Sequence, residues 1–262
     1  MSQSAETFLA APSATTSESR PAPRRSDGVV STVLVTLLIA LIVRILAFQP
    51  FTIPSSSMEP GLVVGDYIVV SKFPYGWSRA SAPLNPPLFK GRLFARSPAR
   101  GDVVVFRHPA RPNETMVKRL IGLPGDEVQV RRGAVFINGR PIRQTPVGEV
   151  RDHDEPEHVV QQVVEIQAEG ATYMTYDRGG GRPGDNTGVY VVLPGFYFMM
   201  GDNRDNSLDS RWAQPEGVGL VPEENIVGRV ELVLASWRPG ASLFKPWTWL
   251  AIQPDRFLKR VR

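Results

Sequence analysis

Three consecutive serines, Ser55, Ser56 and Ser57, stand with Met58 between two prolines in the stretch FQPFTIPSSSMEPGL. A serine hydroxyl becomes a nucleophile only when a base within hydrogen-bond reach takes its proton. The chain contains no cysteine, which excludes thiolate catalysis, disulfides and cysteine-ligated zinc together, and it has only three histidines. His108, in FRHPA, has nothing near it that supplies a Ser–His–Asp pattern. His153 and His158 lie among acids in RDHDEPEHVV, which reads as a solvated charged loop in preference to a metal pair. A lysine can act instead if burial lowers its pKa from about 10.4 by several units, each unit costing about 1.4 kcal/mol. Lys118 is set between Met116–Val117 and Leu120–Ile121 in TMVKRLIGLPGD, and in a strand Val117 and Arg119 face away from it. Taken alone, that pattern describes a half-buried strand lysine, and residue type does not choose among the three serines.

The elements that must position these groups fall into a tail, an apolar run and a β domain. Residues 1–28 are rich in Ser, Ala, Thr and Pro without apolar periodicity, which predicts a disordered tail carrying Arg20, Arg24 and Arg25. Residues 29–48, VVSTVLVTLLIALIVRILAF, hold one charge, Arg44. At about 1.5 Å rise per residue such a run covers the roughly 30 Å hydrocarbon layer, so a transmembrane helix is expected. It is longer than the roughly 7–15 apolar residues of a cleaved leader, and LAFQPF is a poor cleavage site. After the run no Lys or Arg appears until Lys72. The positive-inside rule then puts the tail in the cytoplasm and residues 49–262 outside.

Beyond residue 49 the apolar runs are short, β-branched and bounded by Gly, Pro or Asp, among them DYIVV, DVVVF, EVQV, AVFIN, VYVV, FYFMM and IVGRVELVLAS. They predict a mainly β domain, with Asn138-Gly139 in FINGRPI forming a tight hairpin turn. The more polar text over about 131–195 reads as an insertion or subdomain, and its glycines, without a following G-K-[ST], read as flexible turn. The segment 79–102 reads as a solvated loop. Near the C-terminus Trp237, Phe244, Trp247, Trp249 and Phe257 alternate with Lys245, Arg256, Lys259, Arg260 and Arg262. That mixture suits either a lipid interface or packing on the domain. The net charge of +4 gives no reason to expect nucleic acid.

The boxes IPSSSMEPGLVVGDYIVVSKFPYG, RGDVVVFRHP, VKRLIGLPGD and GDNRDNSLDSR, in this order behind an apolar run, closely resemble those of the bacterial type I signal peptidases. These are membrane-bound serine/lysine endopeptidases that remove signal peptides from exported proteins. The resemblance spans about Phe51 to Arg211 and implies an antiparallel-sheet catalytic domain behind one N-terminal transmembrane helix. It implies Ser57 as nucleophile, Lys118 as general base and Ser55 as a hydroxyl donor of the oxyanion hole beside the Ser57 N–H. Ser56 falls at a small-residue position with no role of its own. Ser207 matches the residue that orients the lysine, Asp202, Arg204, Asp209 and Arg211 match structural support, and Met58 matches a residue that desolvates the lysine and lines the substrate pocket.

The implied enzyme takes signal-peptide-bearing preproteins as substrate, cleaves at A-x-A sites and touches the lipid bilayer. It needs no metal and no small-molecule cofactor. Ser57, nine residues past Phe48, lies within about 32 Å of the apolar run even along a fully extended chain. The expected location is the bacterial cytoplasmic membrane, single-pass, with the catalytic domain on the outer or periplasmic face. Other readings are a specialised peptidase maturing one pilus or transfer protein and an inactive membrane-anchored binding protein. A self-cleaving repressor would need a DNA-binding helix-turn-helix, and none is visible.

Overall fold

The computed structural model describes residues 26–82, 91–241, 246–248 and 250–261, with the side chains of 26–27 and 44–46 left aside. Most of the expected tail, the Arg44 side chain, the middle of the 79–102 segment, Phe244, Lys245, Trp249 and Arg262 lie outside the described residues. The chain divides into two compact units, residues 1–40 and 41–262.

Among the described residues one α-helix, Ser26–Leu46, carries the apolar run. It stops at Leu46, before the predicted end at Phe48, because Phe48–Thr52 is already a strand paired with Asp66–Ser71. Pro50 also disfavours helical backbone at Gln49. From Gly28 to Val43 every side chain is exposed, and the Thr32 and Thr36 hydroxyls donate back to the carbonyls of Gly28 and Thr32. Among the described residues no helix is long and apolar enough to cross a membrane.

The second unit is built on one large antiparallel sheet. Its order is Phe48–Thr52, Asp66–Ser71, Ile226–Ser236, Val103–Arg107, Thr115–Gly122, Phe196–Met200 and Val221–Pro222. Alternation along Val103–Arg107 shows how the sheet is covered. Val103 and Val105 join a core with Ile53, Met58, Leu62, Ile68 and Val70, whereas Val104 and Phe106 join another with Leu120, Tyr197 and Met199. A strand buried on both faces leaves no solvated side for a charge, so each polar group it carries needs a partner. Lys118 stands opposite Val104 and Arg119 opposite Val103. The pleat therefore sends the two cations to opposite faces, as the sequence predicts.

The text over 131–195 is more regular than its polarity suggests. Its first part joins Glu127–Arg131 in a hairpin, with Ala134–Ile137 returning against it, and Asn138 and Gly139, at positive φ of 51° and 75°, turn the chain again into Arg140–Pro141. Tyr190–Val191 closes the same small sheet. Between them Arg143–Arg151, Val159–Ile166 and Thr172–Asp177 form a separate three-stranded antiparallel sheet. Glu165, on its middle strand, is fully buried and takes both terminal nitrogens of Arg204 at 2.5 and 2.6 Å.

Two surface expectations change. Arg92 donates to the carbonyls of Gly76, Glu223 and Ile226, and Arg100 pairs with Asp126 at 2.7 Å, so neither is a solvated loop cation. Arg256 is buried against Asp66 at 2.5 Å, and Trp237 packs edge-on to Tyr67, while Trp247 is exposed.

Removing one partner of a buried ion pair costs about 3–5 kcal/mol, because the other charge is left without a counterion. Glu165→Ala is therefore expected to destabilise the chain by that order and Glu165→Gln by less, read by denaturant unfolding. A loss below about 1 kcal/mol for Glu165→Ala would mean that solvent reaches Arg204.

Candidate active site

The loop that carries the serines is closed at its base and pinned at its tip. Ile53 N–H donates to the Asp66 carbonyl at 2.9 Å, and the Asp66 carboxylate accepts Val63 N–H at 3.0 Å while holding Arg256. Between these ends Ser56–Met58 forms one 3₁₀ turn, closed by Glu59 N–H on the Ser56 carbonyl at 2.9 Å. Ile53, Met58 and Leu62 sink into the core, worth about 1.5–3 kcal/mol each. Met58 is only 1% exposed, so it anchors the turn and offers a substrate almost no surface.

The turn presents Ser57 to the central strand. Lys118 Nζ donates to Ser57 Oγ at 2.6 Å, and Lys118 is 2% exposed. Burial lowers its pKa to about 8; Arg211 pushes the same way, against Asp209 and Asp202. Ser55 is exposed, with its Oγ 3.5 Å from Ser57 Oγ. The Ser57 carbonyl accepts Asn203 N–H at 3.1 Å, tying the turn to the segment after Phe196–Met200.

Gly201 is where these segments come closest. A Cβ there would lie 2.5 Å from the Ser57 carbonyl oxygen and 2.6 Å from Ser207 Cβ, so only glycine fits. Ser207 is thus brought to the site, but its Oγ is buried without a hydrogen-bond partner and does not reach Lys118 in the resting chain. Trp212 Nε1–H holds the Ser207 carbonyl at 3.2 Å.

The four expected support residues are all buried, each in a charge-assisted pair. Asp202 takes Arg119 at 2.7 and 2.6 Å, Arg204 takes Glu165, and Arg211 takes Asp209 at 2.9 Å. Burial alone would raise the Asp209 carboxyl, yet Arg211 and the Gly201 N–H hold it below its ordinary value. Arg119, also stacked on Tyr173 at 3.9 Å, and Glu165 are partners that sequence reasoning missed. For Arg119 the available signal was a charge beside Lys118 in an apolar run; nothing in the polar text around Glu165 marks it.

Ser56 differs most from expectation. It is 4% exposed, donates to the Asp154 carboxylate and accepts Asn206 Nδ2–H at 2.9 Å, so it is bonded and not a spacer. His153 and His158 have separate partners, Glu59 at 3.1 Å and Glu155 at 2.8 Å. His108 accepts the N–H groups of Ala110 and Arg111 at Nδ1, far from any serine role.

A buried lysine hydrogen-bonded to a half-buried serine hydroxyl defines a candidate for acyl transfer, and similarity to known proteins agrees with that class. The family model for signal peptidase, peptidase S26, matches residues 27–237. Proteins named signal peptidase I from Rickettsia typhi (strain Wilmington) and Rickettsia akari (strain Hartford) are 42% and 40% identical over 205 and 210 residues, 75% of each chain. A solved signal peptidase I from Enterococcus faecalis V583 matches 51% of this chain and 97% of its own at 25% identity, with a TM-score of 0.30. The chain belongs to the signal peptidase family, peptidase S26.

Lys118 lowers the stability of its own fold. Its native pKa of about 8 lies below the unfolded value of about 10.4, so the unfolded chain binds the proton more tightly. The deficit, about 3 kcal/mol, is fully present below pH 8 and disappears as pH rises towards the unfolded value. Lys118→Met is therefore expected to raise Tm at pH 7 by about 5 °C or more, with the gap closing near pH 10. A lower Tm for Lys118→Met at pH 7 would show that the lysine stabilises the site.

Proposed function

We propose that this chain is a membrane-anchored serine endopeptidase that removes N-terminal signal peptides from exported preproteins at A-x-A-type sites. The observation that carries the reading is the 2.6 Å contact between Lys118 Nζ and Ser57 Oγ, with the lysine buried and its pKa lowered to about 8. At pH 7 about one lysine in ten is then neutral, against fewer than one in a thousand for a free lysine.

In that state the Lys118 lone pair takes the Ser57 proton as Oγ bonds to the scissile carbonyl carbon. The oxyanion is met by the Ser57 N–H and the exposed Ser55 hydroxyl, a donor whose removal typically costs about 10²–10³ in rate. Collapse of the intermediate breaks the C–N bond, and Lys118 returns the proton to the leaving amine. Lys118 next takes a proton from water as the water oxygen bonds to the acyl carbon, and gives that proton to Ser57 Oγ as the ester C–O bond breaks. Every proton and electron pair in this sequence is accounted for by the serine, the lysine and water. Ser207 supplies an unbonded buried hydroxyl that can turn towards Lys118 once Ser57 is acylated, which orients the lysine for the second half-reaction. Asp202, Arg204, Asp209 and Arg211 hold the frame, and Met58 fixes the turn from beneath.

The anchor belongs to the same proposal. The described side chains of the helix, 28–43, cover only part of the apolar run, whose 20 residues, 29–48, would cover about 30 Å as one helix, and Val, Leu and Ile are exposed on every described face. Its threonines satisfy their hydroxyls internally, which suits a solvent without hydrogen-bond partners. The reading places the helix in the bacterial cytoplasmic membrane, the N-terminus in the cytoplasm and residues 49–262 outside.

The test is cleavage of a preprotein bearing an A-x-A site by the detergent-solubilised full chain. Wild type is expected to cut after the last small residue, by mass spectrometry, while Ser57→Ala and Lys118→Met lose all but about 10⁻³ of the rate. Retained cleavage in both variants would move the nucleophile elsewhere. The pH profile is an independent check. With the neutral lysine as base, kcat/KM should rise about tenfold per unit below pH 8 and level off above it. A flat profile from about pH 6 to 10 would remove Lys118 from that role.

A further inference from the structure

One turn of the three-stranded insertion lies directly against the nucleophile loop. Asp154 Oδ2 accepts the Ser56 hydroxyl and Asn206 Nδ2–H, the latter at 2.6 Å, and Asn206 also donates to Ser56 Oγ. On the other side of Ser57, His153 Nδ1 meets the buried Glu59 carboxylate at 3.1 Å. Residues 56 and 59 bracket Ser57 and Met58, and adjacent residues of one insertion turn hold both.

That turn is itself braced. The buried Asp152 accepts Asp154 N–H at 2.9 Å and Glu155 N–H at 3.3 Å, which fixes its shape, and it holds Arg178 Nε at 2.6 Å. Arg178 reaches Glu155 at 3.0 Å, and its N–H donates to Asp205 at 2.7 Å. Asp205 and Asn206 belong to the 3₁₀ turn Arg204–Asn206. The bonds thus close a ring through the insertion, the nucleophile loop and the segment ahead of Ser207.

We propose that the Asp152–Glu155 turn is a clasp that positions Ser57, Asp154 acting through Ser56 and Asn206, and His153 acting through Glu59. These are positioning residues, and the proposal rests on the reading of Ser57 and Lys118 as the reacting pair. The physical need is plain. A single 3₁₀ turn carries one internal hydrogen bond and cannot by itself hold a hydroxyl to the tolerance that a proton transfer demands. A misplacement of about 1 Å costs on the order of 10²-fold in rate. Met58 fixes the turn from the core side, and the clasp supplies hydrogen-bonded support from the insertion.

The experiment compares Ser56→Ala, Asp154→Ala, Asp154→Asn and the double variant Ser56→Ala/Asp154→Ala in the full chain. If the clasp positions Ser57, each alanine variant lowers kcat about tenfold or more while KM stays within about twofold. The double variant should be no slower than the slower single, since both cut one linkage. Asp154→Asn, which keeps an acceptor oxygen for Ser56, should recover at least half of the lost rate. Unchanged kcat in both alanine variants, or a fall in kcat that only tracks the fraction unfolded, overturns the proposal.

Hydrogen exchange on the same proteins supplies a readout that needs no turnover. Peptides covering 53–62 and 202–207 should exchange faster in the alanine variants, with the Val103–Arg107 and Thr115–Gly122 strands still protected. If wild type cuts no preprotein yet these two segments loosen together, the clasp stands and the peptidase reading falls. If wild type cuts and neither segment changes, the clasp falls and the peptidase reading stands.

Discussion

A lysine whose proposed role needs it neutral is buried among arginines that are paired with carboxylates. Lys118, Arg119, Arg204 and Arg211 are all withdrawn from water, where a charge without a partner is costly. What separates them is the partner. Arg119 faces Asp202, Arg204 faces Glu165 and Arg211 faces Asp209, whereas the Lys118 amine meets the hydroxyl of Ser57. A carboxylate on Lys118 would hold the proton in place. Asp209 acts most strongly in that direction, and it is paired with Arg211, which itself disfavours a second cation.

The same pairing explains why the insertion is joined to the rest of the domain. A buried ion pair adds little net stability, since desolvation takes back most of the Coulomb attraction, but half of one is severely costly. With Arg204 placed beside the site, Glu165 becomes obligatory, and Glu165 belongs to the middle strand of the insertion. The three strands there do not form a detachable appendage. They complete the electrostatics of a site whose serine–lysine pair lies on other elements.

Much of this was legible in the sequence. The run Ile226–Ser236 is a strand from its first residue to its last, and Asn138-Gly139 makes its hairpin. Those features depend on local rules, β-branching and positive φ, that each segment carries with it. The alternation that separates Lys118 from Arg119 was equally local. What stayed hidden was partnership across distance. Glu165 and Asp154 are ordinary acids in polar text, and only folding shows that one neutralises an arginine and the other receives a serine. The strands Arg143–Arg151 and Val159–Ile166 were obscured for a related reason. Pro146 and Gly148 interrupt the first at a register shift, and buried Glu165 breaks the apolar alternation of the second.

The three serines show how far backbone geometry goes beyond residue type. In a 3₁₀ helix successive side chains point about 120° apart, so neighbours there cannot share an environment. Ser55, the extended residue ahead of the turn, stays exposed beside Ser57; Ser57 turns to Lys118; Ser56 turns inward to Asp154 and Asn206. An extended strand would have given only two surroundings, Ser55 and Ser57 on one face and Ser56 on the other. The tight turn instead gives three identical side chains three chemical surroundings: solvent, an amine of lowered pKa and a carboxylate. Which serine meets the lysine is therefore a property of the turn and of what packs against it, which is why a triplet that is uniform as text becomes asymmetric as a site.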